Sequence, residues 1–139
     1  MRNWVRFGSA AILALTPVLG LADATPTPGI SPGYQACLDK AGGVTAGMRA
    51  CTAAEDARQE ARLNAGYQAL MSKLPAPRQA LLRDAERAWL AFRKSDCAFA
   101  GSAFAGGTFE PVAADDCVVT LTARRADDLA DQLDQENAR

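Results

Sequence analysis

The chain has 139 residues, with 15 basic side chains, 16 acidic side chains and no histidine. Its formal net charge of −1 argues against nucleic-acid binding, which requires a basic surface. The lack of histidine excludes Ser-His-Asp and Cys-His catalysis and the zinc sites that use imidazole.

The first 24 residues have the pattern of a signal peptide. A short basic start, MRNWVR, precedes the apolar stretch FGSAAILALTPVLGLA, which is too short and too interrupted by proline to span a bilayer. The small residues Ala22 and Ala24 then fit a signal-peptidase site, with cleavage expected after Ala24 or, alternatively, after Ala22. No cysteine follows the apolar stretch to carry a lipid. We therefore expect a periplasmic or secreted bacterial protein with no stable membrane anchor after cleavage.

Helical signals follow a Pro-rich leader over residues 25–33. Residues 34–41 predict a short helix that ends at the glycine pair 42–43. Thr45 is placed to cap a long second helix, which the sequence PAP ends after Leu74. The apolar residues of this helix repeat on one helical face: Leu63, Tyr67, Leu70, Met71 and Leu74.

Two more helices are predicted after the PAP turn. The first runs from about Pro77 to Ala100, with an inward face made of Leu82, Ala85, Trp89, Phe92 and Phe99. Residues 101–116 are predicted to form a loop, after which Asp115 or Asp116 caps a helix over about 117–135. The predicted domain, 34–136, is all-α: an antiparallel helical hairpin with a third helix and a short N-terminal helix.

Four cysteines in an exported chain predict a disulfide framework. Four cysteines allow three pairings, and we favour the local one, because each pair then encloses a Gly-containing segment. Closing a loop of about 15 residues contributes on the order of 3 kcal/mol in the chain-entropy account. The favoured bonds are Cys37–Cys51 and Cys97–Cys117. The sequence contains neither the C-x-x-C spacing of zinc and redox sites nor a Gly-rich loop that would bind phosphate. We therefore expect no metal and no cofactor.

Several charged residues fall on the apolar helical faces. Asp56 and Glu60 share a face with the second helix's apolar residues, and an antiparallel hairpin brings Glu60 within reach of Arg93. Arg125 lies near the apolar face of the last helix. We interpret these four residues as a partly buried ion-pair network, which suits the planar guanidinium of arginine. The alternative is that Asp56 and Glu60, about 6 Å apart on one helix, are the two carboxylates of a glycosidase.

The two aromatic residues in the inward faces, Tyr67 and Trp89, also admit two interpretations. They could form platforms on which a sugar ring stacks. Because both lie within apolar helical stripes, we interpret them as core residues.

The combined pattern of residues 34 to about 130 resembles the LprI-like lysozyme-inhibitor N-terminal domain family. The segments that carry the resemblance are CLDKAGGVTAGMRACTAAEDARQEARLNAGYQALMSKL, LLRDAERAWLAFRKSDCAF and LTARRADDL. The shared positions are Cys37, Cys51, Leu63, Asn64, Tyr67, Trp89, Arg93, Cys97, Gly106, Gly107, Cys117 and Arg125. The resemblance implies a small exported helical protein with paired cysteines and, for some members, inhibition of lysozyme.

An inhibitor must fill a carbohydrate-binding cleft on an enzyme that is usually basic. The loop enclosed by Cys97–Cys117 is our candidate contact, because a disulfide lowers the ordering cost of binding. Its candidate residues are Gly106, Gly107, Glu110, Asp115 and Asp116, the acids being suited to a basic rim. We therefore expect a non-enzymatic protein whose partner is a protein, in particular lysozyme. The alternative is an envelope structural or stress-adaptor module that binds an endogenous cell-wall protein or peptidoglycan.

Overall fold

The computed structural model describes residues 29–139 as four helices. They are α1 (Pro32–Ala41), α2 (Thr45–Lys73), α3 (Ala76–Ser102) and α4 (Glu110–Asn137). The predicted all-α class is confirmed. The predicted signal peptide, residues 1–24, and the first part of the leader lie outside the described residues. No helix of the described part is long and apolar enough to cross a membrane.

The ends of the first two helices follow local sequence, with one correction. Gly42 ends α1 in the left-handed conformation (φ 56°), and its N–H donates to the carbonyl of Asp39, as expected of a glycine C-cap. Thr45 does not cap α2. The N-cap is Val44, which makes no side-chain capping bond, and Thr45 is the first helical residue.

The last helix begins earlier than the sequence predicts. α4 starts at Glu110, with a proline in its first turn, a position where the fixed φ of proline favours a helix. The predicted loop over 101–116 is therefore wrong for its second half, and the connection spans only residues 103–109. Asp115 and Asp116 are not caps, because both lie inside α4.

Helix α4 makes the most extensive packing contacts in the structure. Its contact with α2 is larger than its contact with α3. It runs parallel to α2, since Arg49 pairs with Asp115 and Arg62 with Asp127. It runs antiparallel to α3, since Arg78 pairs with Glu136 at the end opposite the 103–109 connection. The hairpin of α2 and α3 is thus held together largely through α4.

The main core lies where α2, α3 and α4 meet. Tyr67 and Trp89 are partly buried and pack against it. A Cβ added at Gly66 would lie 3.3 Å from Cβ of Leu129, so glycine allows α2 and α4 to approach closely here. The buried members of this cluster are Leu63, Leu70, Leu74, Leu82, Ala126 and Leu129.

Three of the α3 residues that were predicted to face the core do not. Phe92 is 54% exposed and Phe99 is 78% exposed, and Ala85 is also exposed. Both helices that cover α3 lie on the side of Leu82 and Trp89. The two phenylalanines lie to one side of that face, because successive helical residues are about 100° apart.

Both predicted disulfides are confirmed. Cys37–Cys51 joins α1 to α2 and Cys97–Cys117 joins α3 to α4, with Cα–Cα distances of 5.8 and 5.3 Å. These separations lie within the usual range for a disulfide.

The end of the leader is held by a buried carboxylate that the sequence analysis did not identify. Glu55, on α2, is fully buried and accepts hydrogen bonds from N and Oγ of Ser31, at 2.9 and 2.6 Å. Gln59 donates to the same carboxylate at 2.6 Å and to the carbonyl of Gly29 at 2.8 Å. Burial alone would raise the pKa of Glu55, but the bonds from Ser31, Gln59 and Arg58 outweigh it and lower the pKa to about 2.

Removing either disulfide should destabilise the protein, because the unfolded chain gains freedom. We expect Cys97→Ala/Cys117→Ala to lower the free energy of unfolding by about 3 kcal/mol, measured by urea titration. The Cys37→Ala/Cys51→Ala variant is the matched comparison at the other end of the bundle. An unchanged midpoint in both variants would contradict a structural role for the bonds.

Glu55→Gln should destabilise the protein at pH 7 by at least about 2 kcal/mol, because hydrogen bonds to a charged acceptor are lost. A lowered folded-state pKa stabilises the fold above the unfolded-state pKa, and this stability is lost as the pH falls. The difference between wild type and variant should therefore shrink between pH 4.5 and about 2. Thermal unfolding of both proteins across this range is the measurement, and a pH-independent difference would contradict the assignment.

Candidate functional site

The sequence-predicted charged residues divide into two separate pairs. Arg93 on α3 donates to Oε1 of Glu60 on α2 at 2.5 Å and to Oγ1 of Thr122 on α4 at 2.7 Å. Its guanidinium also lies 4.8 Å from the centre of the Trp89 ring, a favourable cation–π arrangement. Arg93 therefore contacts all three long helices.

Arg125 does not join this group. Its Nε donates to Glu86 on α3 at 2.9 Å, and both side chains are largely buried. Glu86 was not identified from the sequence, because it lies on the α3 face that only the packing of α4 makes interior. The structure thus places two arginine–glutamate pairs where one network of four residues was predicted.

Asp56 has no ion pair in the described part of the chain. Its Oδ1 is buried and lacks a hydrogen-bond partner there. Burial and the nearby charges of Glu60 and Asp115 raise the pKa of Asp56, against the opposing effect of Arg93. The adjacent cavity, lined in part by Arg49 and Asp115, has a volume of about 230 Å³, below the size of ordinary small-molecule sites. This geometry gives little room for a saccharide and does not favour the glycosidase interpretation.

The acids assigned to the candidate partner loop are engaged within the fold. Asp115 accepts a 2.8 Å bond from Arg49, and Asp116 accepts a 2.7 Å bond from the hydroxyl of Tyr34. Glu110 accepts a 2.9 Å bond from the N–H of Gly106. These carboxylates hold α4 to α1 and α2 and fix the loop, and none of them lies at its tip.

The tip itself is aromatic. Phe104 and Phe109 are 46% and 42% exposed, and their rings meet edge to face with centroids 4.8 Å apart. Between them lies the predicted glycine pair, with Gly106 at φ 79°, a conformation that favours glycine. The sequence contained a signal for this site, since two phenylalanines flank Gly-Gly in a segment without periodicity. We call residues 103–109 the tip loop.

The tip loop is supported by a close approach of its two flanking helices. A Cβ added at Gly101 would lie 3.1 Å from both the carbonyl oxygen of Glu110 and Cβ of Ala114. The disulfide Cys97–Cys117 joins the same helices one turn further from the tip. A short loop fixed in this way presents its aromatic pair at the end of the molecule with little freedom to move.

Asp56→Asn should raise the free energy of unfolding at pH 7, by on the order of 1 kcal/mol. The sign follows from the raised pKa of Asp56. Protonated Asp56 makes its full contribution to the free energy of unfolding at low pH. This contribution is lost as the pH rises through the folded-state pKa. The neutral amide of asparagine does not titrate and avoids this loss. Urea unfolding at pH 4 and pH 7 tests this, and destabilisation at pH 7 would show that the carboxylate makes a favourable interaction with Arg93.

Comparison with known proteins identifies the family. The profile described as "Lysozyme inhibitor LprI" matches residues 37–129, which include both disulfides, both arginine–glutamate pairs and the tip loop. An uncharacterized protein of Rhizobium meliloti (strain 1021) is 34% identical over 53 residues, or 38% of each chain. The match therefore spans well under two thirds of that relative's length. No solved structure is significantly similar. The profile match extends over more than half of the chain, and we conclude that the protein belongs to the LprI lysozyme inhibitor family.

Proposed function

We propose that this protein is exported, has no enzymatic activity of its own, and binds and inhibits lysozyme through its tip loop. The family match suggests inhibition. The observation that directs the proposal to one surface is the exposed pair Phe104 and Phe109 on a short, braced loop.

The shape of the tip loop fits an elongated cleft. Enzymes that cleave polysaccharides bind the chain in a groove with two carboxylates at the scissile bond. Gly106 and Gly107 give the loop a narrow end, while the phenylalanine rings offer apolar surface of the kind that stabilises interface cores. We propose that the loop enters the groove and that the rings pack where sugar rings would lie.

Rigidity supports the same function. A loop that is ordered before binding loses little conformational freedom in the complex. The Cys97–Cys117 bond and the Gly106–Glu110 hydrogen bond provide this order. The proposal therefore assigns the disulfide a role in affinity as well as in stability.

The position of the acids changes the expected electrostatics. Because Glu110, Asp115 and Asp116 have internal partners, binding should depend mainly on burial of the two rings. Screening by salt acts chiefly on exposed charges. We therefore propose that inhibition persists at moderate salt, in contrast to an interface formed by an acidic rim.

The test is lysis of a peptidoglycan suspension by c-type and g-type lysozymes, with the protein purified from the periplasm of an expression host. We expect dose-dependent protection by wild type and a loss of at least about 30-fold in potency for Phe104→Ala/Phe109→Ala, as for interface hot spots. The control is Val44→Ala, an equally apolar exposed residue (63%) outside the loop. The protein alone should not lyse the suspension.

Two results would count against the proposal. If wild type gives no protection in large molar excess, the envelope-adaptor alternative becomes the better interpretation. If the double variant protects as well as wild type, inhibition does not use the tip loop. Circular dichroism of each variant separates both results from loss of folding.

A further inference from the structure

The outer side of α3 carries a continuous stripe of exposed, uncharged residues. Its large members are Leu81, Phe92 and Phe99, which are 69%, 54% and 78% exposed. Exposed Ala91 and Ala98 widen it. Contiguous apolar surface of this kind on a folded protein commonly marks an interaction site. The stripe, which we call the α3 outer face, consists of Leu81, Ala85, Ala88, Phe92, Ser95 and Phe99.

The spacing of this stripe is that of a helix-pairing seam. Successive members are separated alternately by four and three residues, an average period of about 3.5 that keeps one seam facing a partner helix. A second seam of α3, about 100° around the helix and containing Leu82, Trp89 and Arg93, is already used within the fold. α3 therefore has two seams, and only one of them has a partner in the described structure.

We propose that the α3 outer face binds the same face of a second copy of this chain, with the two α3 helices antiparallel. With a two-fold axis at the level of Leu90, Ala88 lies opposite the partner's Phe92 and Leu81 lies opposite the partner's Phe99. Each phenylalanine at position 92 then fills the space left by an alanine, the knobs-into-holes arrangement of paired helices. A parallel pair would place phenylalanine on phenylalanine and alanine on alanine.

The pattern is self-complementary in the way that a two-fold interface requires. In such an interface one patch contacts its own copy, so large and small residues must exchange places on reversal of the helix. Positions 88 and 92 do so, Ala85 meets Ser95 without a clash, and the two large residues that face each other, Leu81 and Phe99, do so only at the ends of the seam. The stripe is also free of charge along its whole length, whereas Asp84 and Asp96 lie beside it.

The size of the face sets the expected affinity. From Leu81 to Phe99 the stripe is about 27 Å long at the rise of an α-helix. A stable interface usually covers about 800 Å² on each partner, and a single helical face of this length, about 10 Å wide, covers less than that. We therefore expect weak association, with a dissociation constant on the order of 10 µM, at or beyond the weak end of the affinities of standard-sized interfaces.

An anionic membrane is the occupant that the test must separate from a second copy. An apolar helical face can also lie in a membrane interface, where basic residues usually flank it. Arg83 and Lys94 do not flank this stripe, because at 100° per residue they lie roughly 140–160° away from it around the helix. The charged residues that do flank the stripe are acidic, Asp84 on one side and Asp96 on the other, which disfavours an anionic membrane. The exchange of Ala88 and Phe92 on reversal of the helix favours a second copy, because a fluid lipid surface gains nothing from alanine opposite phenylalanine.

Sedimentation velocity of the protein purified from the periplasm, from 1 to 200 µM, tests the proposal. Wild type should shift from monomer to dimer over this range. Phe92→Glu should weaken association by at least about 30-fold, the effect of removing an interface hot spot, while Val44→Glu should dimerise like wild type. A monomeric wild type at 200 µM, or unchanged association of Phe92→Glu, would overturn it.

A mixing experiment tests the register. Ala88→Lys and Phe92→Glu should each be largely monomeric, whereas an equal mixture should form heterodimers, since one new Lys–Glu pair and one unchanged Ala–Phe contact then face each other. Failure of the folded variants to associate on mixing would overturn the antiparallel register. Co-sedimentation of monomeric wild type with vesicles of phosphatidylglycerol and phosphatidylcholine, lost in Phe92→Glu, would overturn the second copy in favour of lipid.

This inference does not depend on lysozyme inhibition. Phe104 and Phe109 of the tip loop are not part of the α3 outer face. Phe92→Glu should therefore still protect peptidoglycan, and the tip-loop double variant should still dimerise, so failure of one proposal is distinguishable from failure of the other.

Discussion

The contact of Arg93 with three helices is the interaction on which the arrangement of the bundle depends. One guanidinium on α3 is bonded to Glu60 on α2 and to Thr122 on α4, and it lies over Trp89. α2 and α3 pack mainly against α4 rather than against each other. A side chain of α3 that bonds to both α2 and α4 therefore fixes the positions of the three helices along the bundle axis. A lysine could supply the charge but not the planar group that lies over the Trp89 ring while Nη1 donates to both acceptors.

The packing of α3 against α4 that Arg93 fixes continues along both helices to the tip loop. Cys97 lies one helical turn beyond Arg93 and meets Cys117 on α4, and a further turn on, Gly101 lets α3 and α4 converge. The helices are then so close that seven residues suffice to join them, from 103 to 109. The exposed aromatic pair is thus a consequence of how closely the two helices approach, and the acids that follow in sequence are drawn into α4 and used to hold it in place.

Only part of the candidate site could be predicted from residue type and spacing. The glycine pair at 106–107 and the two disulfides were predicted from the sequence, because turn chemistry and cysteine count are local properties. The aromatic tip was missed since exposure is decided by neighbours from other helices. An antiparallel hairpin was enough to expect Glu60 near Arg93, and the two side chains lie 2.5 Å apart. Arg125 was assigned to the same network because its contact with Glu86 depends on the rotation of α4 about its own axis.

Helix α3 shows which features the sequence alone cannot predict. Its sequence has two apolar seams, one through Leu82 and Trp89 and one through Phe92 and Phe99. Helical periodicity predicts the burial of either seam equally well. The sequence by itself determined that the chain is helical, where α1 ends, that the cysteines pair locally and that the family is LprI, since each follows from short-range patterns or their combined spacing. Only the tertiary structure decided which seam of α3 is buried, where α4 begins and which acids remain for a partner, because these depend on the helix that packs alongside, and that helix is distant in sequence.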